Sequence, residues 1–152
     1  MIQMKLHGMD VLYRELRKFP EDVQRKVVKQ AVLVGATVIK KAIVDAAPVR
    51  IHPSIPMGRK KDRSPGFLKK SVKIWINKNP QRAATLTYAI GVTKKAFYAR
   101  FIEFGFTLRN GQRWGPRPWF RPAQDKSSRN ALDATVAKTK GLIGKFMRHY
   151  AA

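Results

Sequence analysis

The stretch "FYARFIEFGF", residues 97–106, decides how this chain folds. It holds five aromatic residues and a single acid, Glu103, the only carboxylate side chain between Asp62 and Asp125. Read as a short helix, it places Phe97, Phe101 and Phe104 on one face at three- and four-residue steps. Tyr98 and Ile102 then share an adjoining face. Glu103 projects near Arg100, beside the apolar side. A carboxylate in that position serves as a catalytic group, a binding site, or a packing and assembly device. The surrounding sequence has to decide among these.

On the N-terminal side of the run, two segments alternate as strands do. In "SVKIWINK" (71–78), Val72, Ile74 and Ile76 fall on one face and Lys73, Trp75 and Asn77 on the other. In "TLTYAIGV" (85–92), Leu86, Tyr88, Ile90 and Val92 share a face. With a turn at "NPQRA" between them, they form an antiparallel hairpin. On the C-terminal side, "FTLRNGQRWG" (106–115) carries Asn110-Gly111, a hairpin signal because both residues tolerate positive φ. "PRPWFRPA" (116–123) is expected to be extended, since residues before proline avoid the helical region.

Further out, the chain reads as helical at both ends. Residues 9–18, "MDVLYRELRK", predict a short helix. Pro20, Glu21 and Asp22 are start signals for a second, because the helix dipole favours early acids and proline's missing N–H costs nothing there. That long helix, 21–47, ends before Pro48. Val23, Val27, Ala31, Val34, Val38 and Ala42 mark its apolar stripe, widened by Val28, Val32, Ile39 and Ile43. Residues 48–66 hold four prolines and two glycines and read as an extended basic arm containing "RKKDR", 59–63. A final helix begins near Ala123, with Leu132, Val136, Ile143, Phe146, Met147 and Tyr150 as its stripe. Gly141 and Gly144 predict fraying of its end. The expected fold is α+β: a long N-terminal and a C-terminal helix packed on a small antiparallel sheet, in one domain over 1–152.

Composition bounds the function. At 152 residues and 44% hydrophobic, the chain can bury a core and is too apolar for a disordered tail. It has no cysteine, which excludes disulfides and thiolate metal sites. No apolar run approaches the roughly 18 residues that span a membrane. "MIQMKLHGMD" has no apolar core after Lys5, so no signal peptide is expected, and a soluble protein made in a reducing cytoplasm is. The net charge is +23, and residues 48–82 alone carry +9. Such an excess repels itself unless it faces polyanions or acidic partners, and nucleic acid is the leading polyanion.

A catalytic constellation is not apparent. His7, His52 and His149 lack metal-ligand spacing, and no glycine-rich phosphate loop occurs. Asp45 and Asp62 flank the arm without the third acid that a two-metal nuclease needs. We therefore expect no enzyme, no cofactor and no metal. Zinc-finger, helix-turn-helix and ribonucleoprotein motifs are also missing. Trp114, Trp119 and Phe120, set among Arg113, Arg117 and Arg121, could stack on bases; anchoring "PRPWFRP" to a core or a neighbour is the favoured reading.

Taken in order, "AAPV" (46–49), "PGFLKKSVKI" (65–74), "YAIGV" (88–92), "FYARFIEFGF" (97–106) and "RPWFRPA" (117–123) resemble a family. It is that of the head–tail connector or tail-completion (neck) proteins of long-tailed bacteriophages, a group similar to the lambda-like minor tail protein Z. The resemblance falls on Gly66, Leu68, Lys69 or Lys70, Ser71, the run Tyr98, Ala99, Phe101 to Gly105, and Pro118 to Ala123, and covers about residues 8–145. The sequence departs from the pattern where Phe106 intervenes before Thr107, and where the arm is longer and more basic than the usual link.

The resemblance implies a structural virion protein of the neck. It would form a homo-oligomeric ring that joins the DNA-filled head to the tail and lines the DNA channel. The implied ring is sixfold, with twelvefold as the alternative. The implied partners are adjacent neck or connector proteins, tail terminator or tail tube proteins, and phage DNA in the lumen; no membrane is involved. Assembly would take place in the host cytoplasm. Arg59, Lys60, Lys61 and Arg63 are the expected contacts to DNA or to an acidic neighbour. Glu103, Arg100, Trp119, Phe120 and Arg121 are the expected assembly residues, with Glu103 paired to an arginine such as Arg121 or to a base of the next subunit. Rival readings are a free, sequence-independent nucleic-acid-binding protein, a tail terminator ring, and a nuclease using Asp45, Asp62 or Glu103.

Overall fold

The computed structural model describes Arg14, Leu16, Arg17 and residues 19–49, 65–77 and 87–150. Most of the first expected helix (9–18) and most of the arm, including Arg59, Lys60, Lys61, Asp62 and Arg63, lie outside these residues. In chain order the elements are α1 (Glu21–Ala46), α2 (Phe67–Ser71), β1 (Val72–Asn77), β2 (Thr87–Val92), a 3₁₀ turn (Lys94–Ala96), α3 (Ala99–Phe104), β3 (Phe106–Thr107), β4 (Arg113–Trp114) and α4 (Phe120–Tyr150). The fold is α+β, with long N- and C-terminal helices and a small antiparallel sheet. Among the described residues, no helix is long and apolar enough to cross a membrane.

The chain forms two compact units. One comprises residues 1–35 with 129–152, and the other residues 36–128. In the first, Leu16, Val23, Val27 and Ile143 form the core, with Phe19 and Phe146 meeting edge-on at 6.4 Å. The buried line of α1 runs Val23, Val27, Ala31 and Gly35, in steps of four. Sequence reading had moved it to Val34 after Ala31. The reason for the difference is the close approach of α4 at Gly35. A Cβ there would lie 2.2 Å from Thr135 Oγ1 and 2.9 Å from the Ala131 carbonyl oxygen. α4 meets this contact with small residues: Ala131 is 4% exposed, and Thr135 turns its hydroxyl back to the Ala131 carbonyl at 2.8 Å.

In the second unit, Ile43, Ala47, Leu68, Val72, Ala96, Ala99, Trp119 and Ala123 form one core, with Ile90, Val92, Tyr98 and Ile102 packed against it. α2 was not foreseen. Gly66 opens it with φ 77°, and it delivers Leu68 and Ser71 to the core before the chain extends into β1. The β1–β2 hairpin matches the sequence reading, pairing Val72 with Val92, Ile74 with Ile90 and Ile76 with Tyr88. Burial fades along β1, from Val72 at 1% exposed to Ile76 at 41%. The second hairpin pairs Phe106 with Trp114 and Thr107 with Arg113. Only Gly111 takes positive φ (83°); Asn110 instead accepts the Gln112 N–H on its side-chain oxygen at 3.1 Å. α4 continues through Gly141 and Gly144 to Tyr150, as the stripe reaching Tyr150 predicts.

Gly35→Ala tests the close helix contact. Alanine favours a helix by about 1 kcal/mol over glycine, but overpacking against the Ala131 backbone costs about 1–3 kcal/mol. We expect a lower melting temperature; a higher one would show that the contact relaxes freely.

Candidate functional site

Three faces of the α3 segment do three jobs. Tyr98 and Ile102 pack on the core of the second unit. Phe97, Phe101 and Phe104 face outward at 61%, 45% and 53% exposure. Ala96, Ala99 and Glu103 are buried. Alanine at 99, one turn before Glu103, keeps that side narrow.

Glu103 is 7% exposed and caps the start of α4. Its Oε2 accepts the backbone N–H groups of Trp119 (2.8 Å) and Phe120 (2.9 Å), and its Oε1 accepts that of Arg121 (3.2 Å). A helix start leaves four N–H groups without intrahelical partners. Here the fourth position is Pro122, which has no N–H. One carboxylate and one proline therefore account for all four. Burial alone would raise the Glu103 pKa, but the three N–H groups and the nearby Arg121 charge outweigh it, and the net shift is downward.

This corrects two expectations. α4 begins at Phe120 rather than near Ala123, because Pro122 fits a first turn and the cap comes from outside the segment. Glu103 meets the backbone amide of Arg121, not its guanidinium. That guanidinium lies over the Phe104 ring, 4.9 Å from its centroid.

The segment before α4 is held against α3. Arg117 donates its N–H to the Ile102 carbonyl at 2.8 Å. Gly105 ends α3 with φ 74°, and a Cβ there would lie 2.6 Å from the Trp114 carbonyl oxygen. Trp119 is 6% exposed and packs edge-on with Phe120 at 5.6 Å, which supports anchoring over base stacking. Its indole N–H has no acceptor among the described residues.

The five expected assembly residues, Arg100, Glu103, Trp119, Phe120 and Arg121, all line one cleft of about 310 Å³. Arg100 and Arg121 are exposed at its surface, while Glu103 and Trp119 form its floor. Across α3 lies a second, larger cleft of about 550 Å³, lined by Phe97, Phe101, Phe106 and Trp114 among others. Sequence reading missed this one. The strong β-hairpin signal at 106–115 identified a turn but gave no sign that it would carry Phe106 and Trp114 to the Phe101 side.

Both oxygens of Glu103 are committed to backbone N–H groups, which makes this an acid of architecture in an α+β scaffold. The family model described as "Bacteriophage HK97-gp10, putative tail-component" matches residues 10–105, more than half of the chain. The chain belongs to this family of phage tail components, and it is a structural protein of the bacteriophage tail. Glu103 lies inside the matched span, and the helix it caps lies beyond it. No curated protein and no solved structure matches the chain.

Glu103→Gln removes the charge and sets an amide NH₂ against N–H donors. A charge-assisted hydrogen bond contributes about 1.5–3 kcal/mol, so stability should fall by at least that much in denaturant unfolding. The acid limb should change too. Because Glu103 titrates below its ordinary 4.5 when folded, the unfolded chain binds more protons in that window, and stability rises with pH there. The contribution is present above 4.5 and lost as pH falls through the folded value. The gap between wild type and Glu103→Gln should therefore close on acidification; a gap constant with pH would contradict the charge-based cap. Gly105→Ala meets both strain and a clash and should cost about 1–3 kcal/mol by the same measurement.

Proposed function

We propose that this tail component acts at the neck, as a homo-oligomeric ring that joins the DNA-filled head to the tail and lines the DNA channel. The observation that carries the reading is the family match over residues 10–105, taken with a net charge of +23. A ring around DNA gives that charge a use. Lys and Arg neutralise phosphates without reading sequence, and they do so for any stretch of DNA that passes. The ring is sixfold in this reading, in register with a sixfold tail, and its kinship is with the lambda-like minor tail protein Z group.

Arg59, Lys60, Lys61 and Arg63 are the proposed DNA or acidic-neighbour contacts, since they are the densest basic cluster in the most basic stretch. Around the cleft beside Glu103, Arg100 and Arg121 offer charged donors to the next subunit or to an adjacent neck, terminator or tube protein. The buried Glu103 and Trp119 act indirectly, by fixing where those arginines stand.

Electron microscopy of the purified chain and of intact virions tests the reading. Ring density at the head–tail junction is expected; a chain found as a free monomer or dimer on duplex DNA would support the rival nucleic-acid-binding function. Changing Arg59, Lys60, Lys61 and Arg63 together to Ala should reduce the salt dependence of DNA binding. At about 0.9 per phosphate contact, the logarithmic slope should drop by up to about 3.6. An unchanged slope with full infectivity would remove the arm from the DNA contact.

A further inference from the structure

The larger cleft has a different chemistry from the rest of the surface. Four aromatic rings run along it in unbroken contact. Phe97 meets Phe101 edge-on at 6.2 Å, Phe101 meets Phe106 at 5.6 Å, and Phe106 stacks on Trp114 at 6.1 Å with planes 2° apart. All four stay open to solvent, at 61%, 45%, 38% and 52% exposure. An aromatic side chain offers about 150–250 Å² on burial, so this row leaves on the order of 400 Å² uncovered. That is about half of the roughly 800 Å² that one partner brings to a standard interface. Connected apolar surface of this extent matches the largest patch of an ordinary monomer, which is often functional.

Charge selects the occupant. Among the described residues lining the cleft, only Arg117 is charged. The chain as a whole carries +23. DNA or an acidic protein gains most from the basic surfaces and gains little here. A second copy carries the same +23 and is repelled by basic surface, so it gains from a face where charge is sparse and apolar area is large. Aromatic enrichment and depletion of charge are also the marks of an interface core between like subunits.

We propose that the Phe97–Phe101–Phe106–Trp114 face is where a second copy of this chain docks. The proposal rests on the ring reading and names one surface through which such a ring closes. Contact there is apolar and strengthens as salt screens the like charges, opposite to the behaviour of a DNA contact.

The test places a photo-crosslinking phenylalanine at position 97 in the full chain within assembled virions. Trp75, which is 43% exposed and not part of the row, is the comparison position. Chain-to-itself products at position 97 in excess over position 75 are expected. Products with another virion protein only, or none, overturn the proposal while leaving the chain a tail component. Virions lacking the chain overturn the ring reading itself. In the purified chain, Phe97→Lys with Trp114→Lys should shift the mass from oligomer to monomer with the far-ultraviolet spectrum unchanged. An oligomer that survives both changes also overturns the proposal.

Discussion

The hydrogen bonds from Trp119, Phe120 and Arg121 to the Glu103 carboxylate are the constraint on which the second unit depends. Helices are usually capped by a Ser, Thr, Asp or Asn at their own start. α4 has Trp119 there, which offers no acceptor. The cap arrives instead from α3, sixteen residues earlier for the nearest amide. A helix of 31 residues can thus begin only where α3 places its carboxylate. The rest of that region follows: the narrow Ala99 side, Gly105 pressed against Trp114, the Arg117 bond to Ile102, and Trp119 seated in the core.

The arrangement also shows how one acid can be retained in so basic a chain. A bare buried carboxylate is costly, and pairing it with a buried guanidinium fixes geometry without assured stabilisation. Three backbone N–H groups at a helix start supply charge-assisted bonds and the favourable end of the helix dipole together. Arg121 adds its charge as well and leaves its side chain over Phe104. The arginine is therefore presented at the surface by the same element that the acid holds in place, and this links the buried cap to the proposed contact surface.

Much of the fold could be read from the residues, since periodicity carries it. The alternation in 71–78 and 85–92 marked the hairpin, and Pro20, Glu21 and Asp22 marked the start of α1. Readings failed where burial depends on smallness or on distant partners. Gly35, Ala131 and Thr135 have little hydrophobic signal, yet they make a close helix contact. The start of α4 carries no local cap, so the prolines at 118 and 122 were read as extending the chain to Ala123. Glu103 was read as an assembly residue paired with an arginine. Its partners were backbone amides, which no residue type announces. The aromatic row was half visible: Phe97 and Phe101 by helical spacing, Phe106 and Trp114 only once the second hairpin folded beside them.

A chain of +23 that belongs to a phage tail family must reconcile self-repulsion with assembly. Segregating an arginine-edged cleft from a sparsely charged aromatic face is a physical way to do so, and the Glu103 cap fixes the two on either side of one short helix. Amide hydrogen exchange at Trp119, Phe120 and Arg121 tests that cap most directly. At neutral pH, all three amides should exchange as slowly as the helix interior, although none has an intrahelical acceptor, and all three should lose protection together in Glu103→Gln. Fast exchange at these amides in the wild type, or protection unaffected by the substitution, would contradict the account.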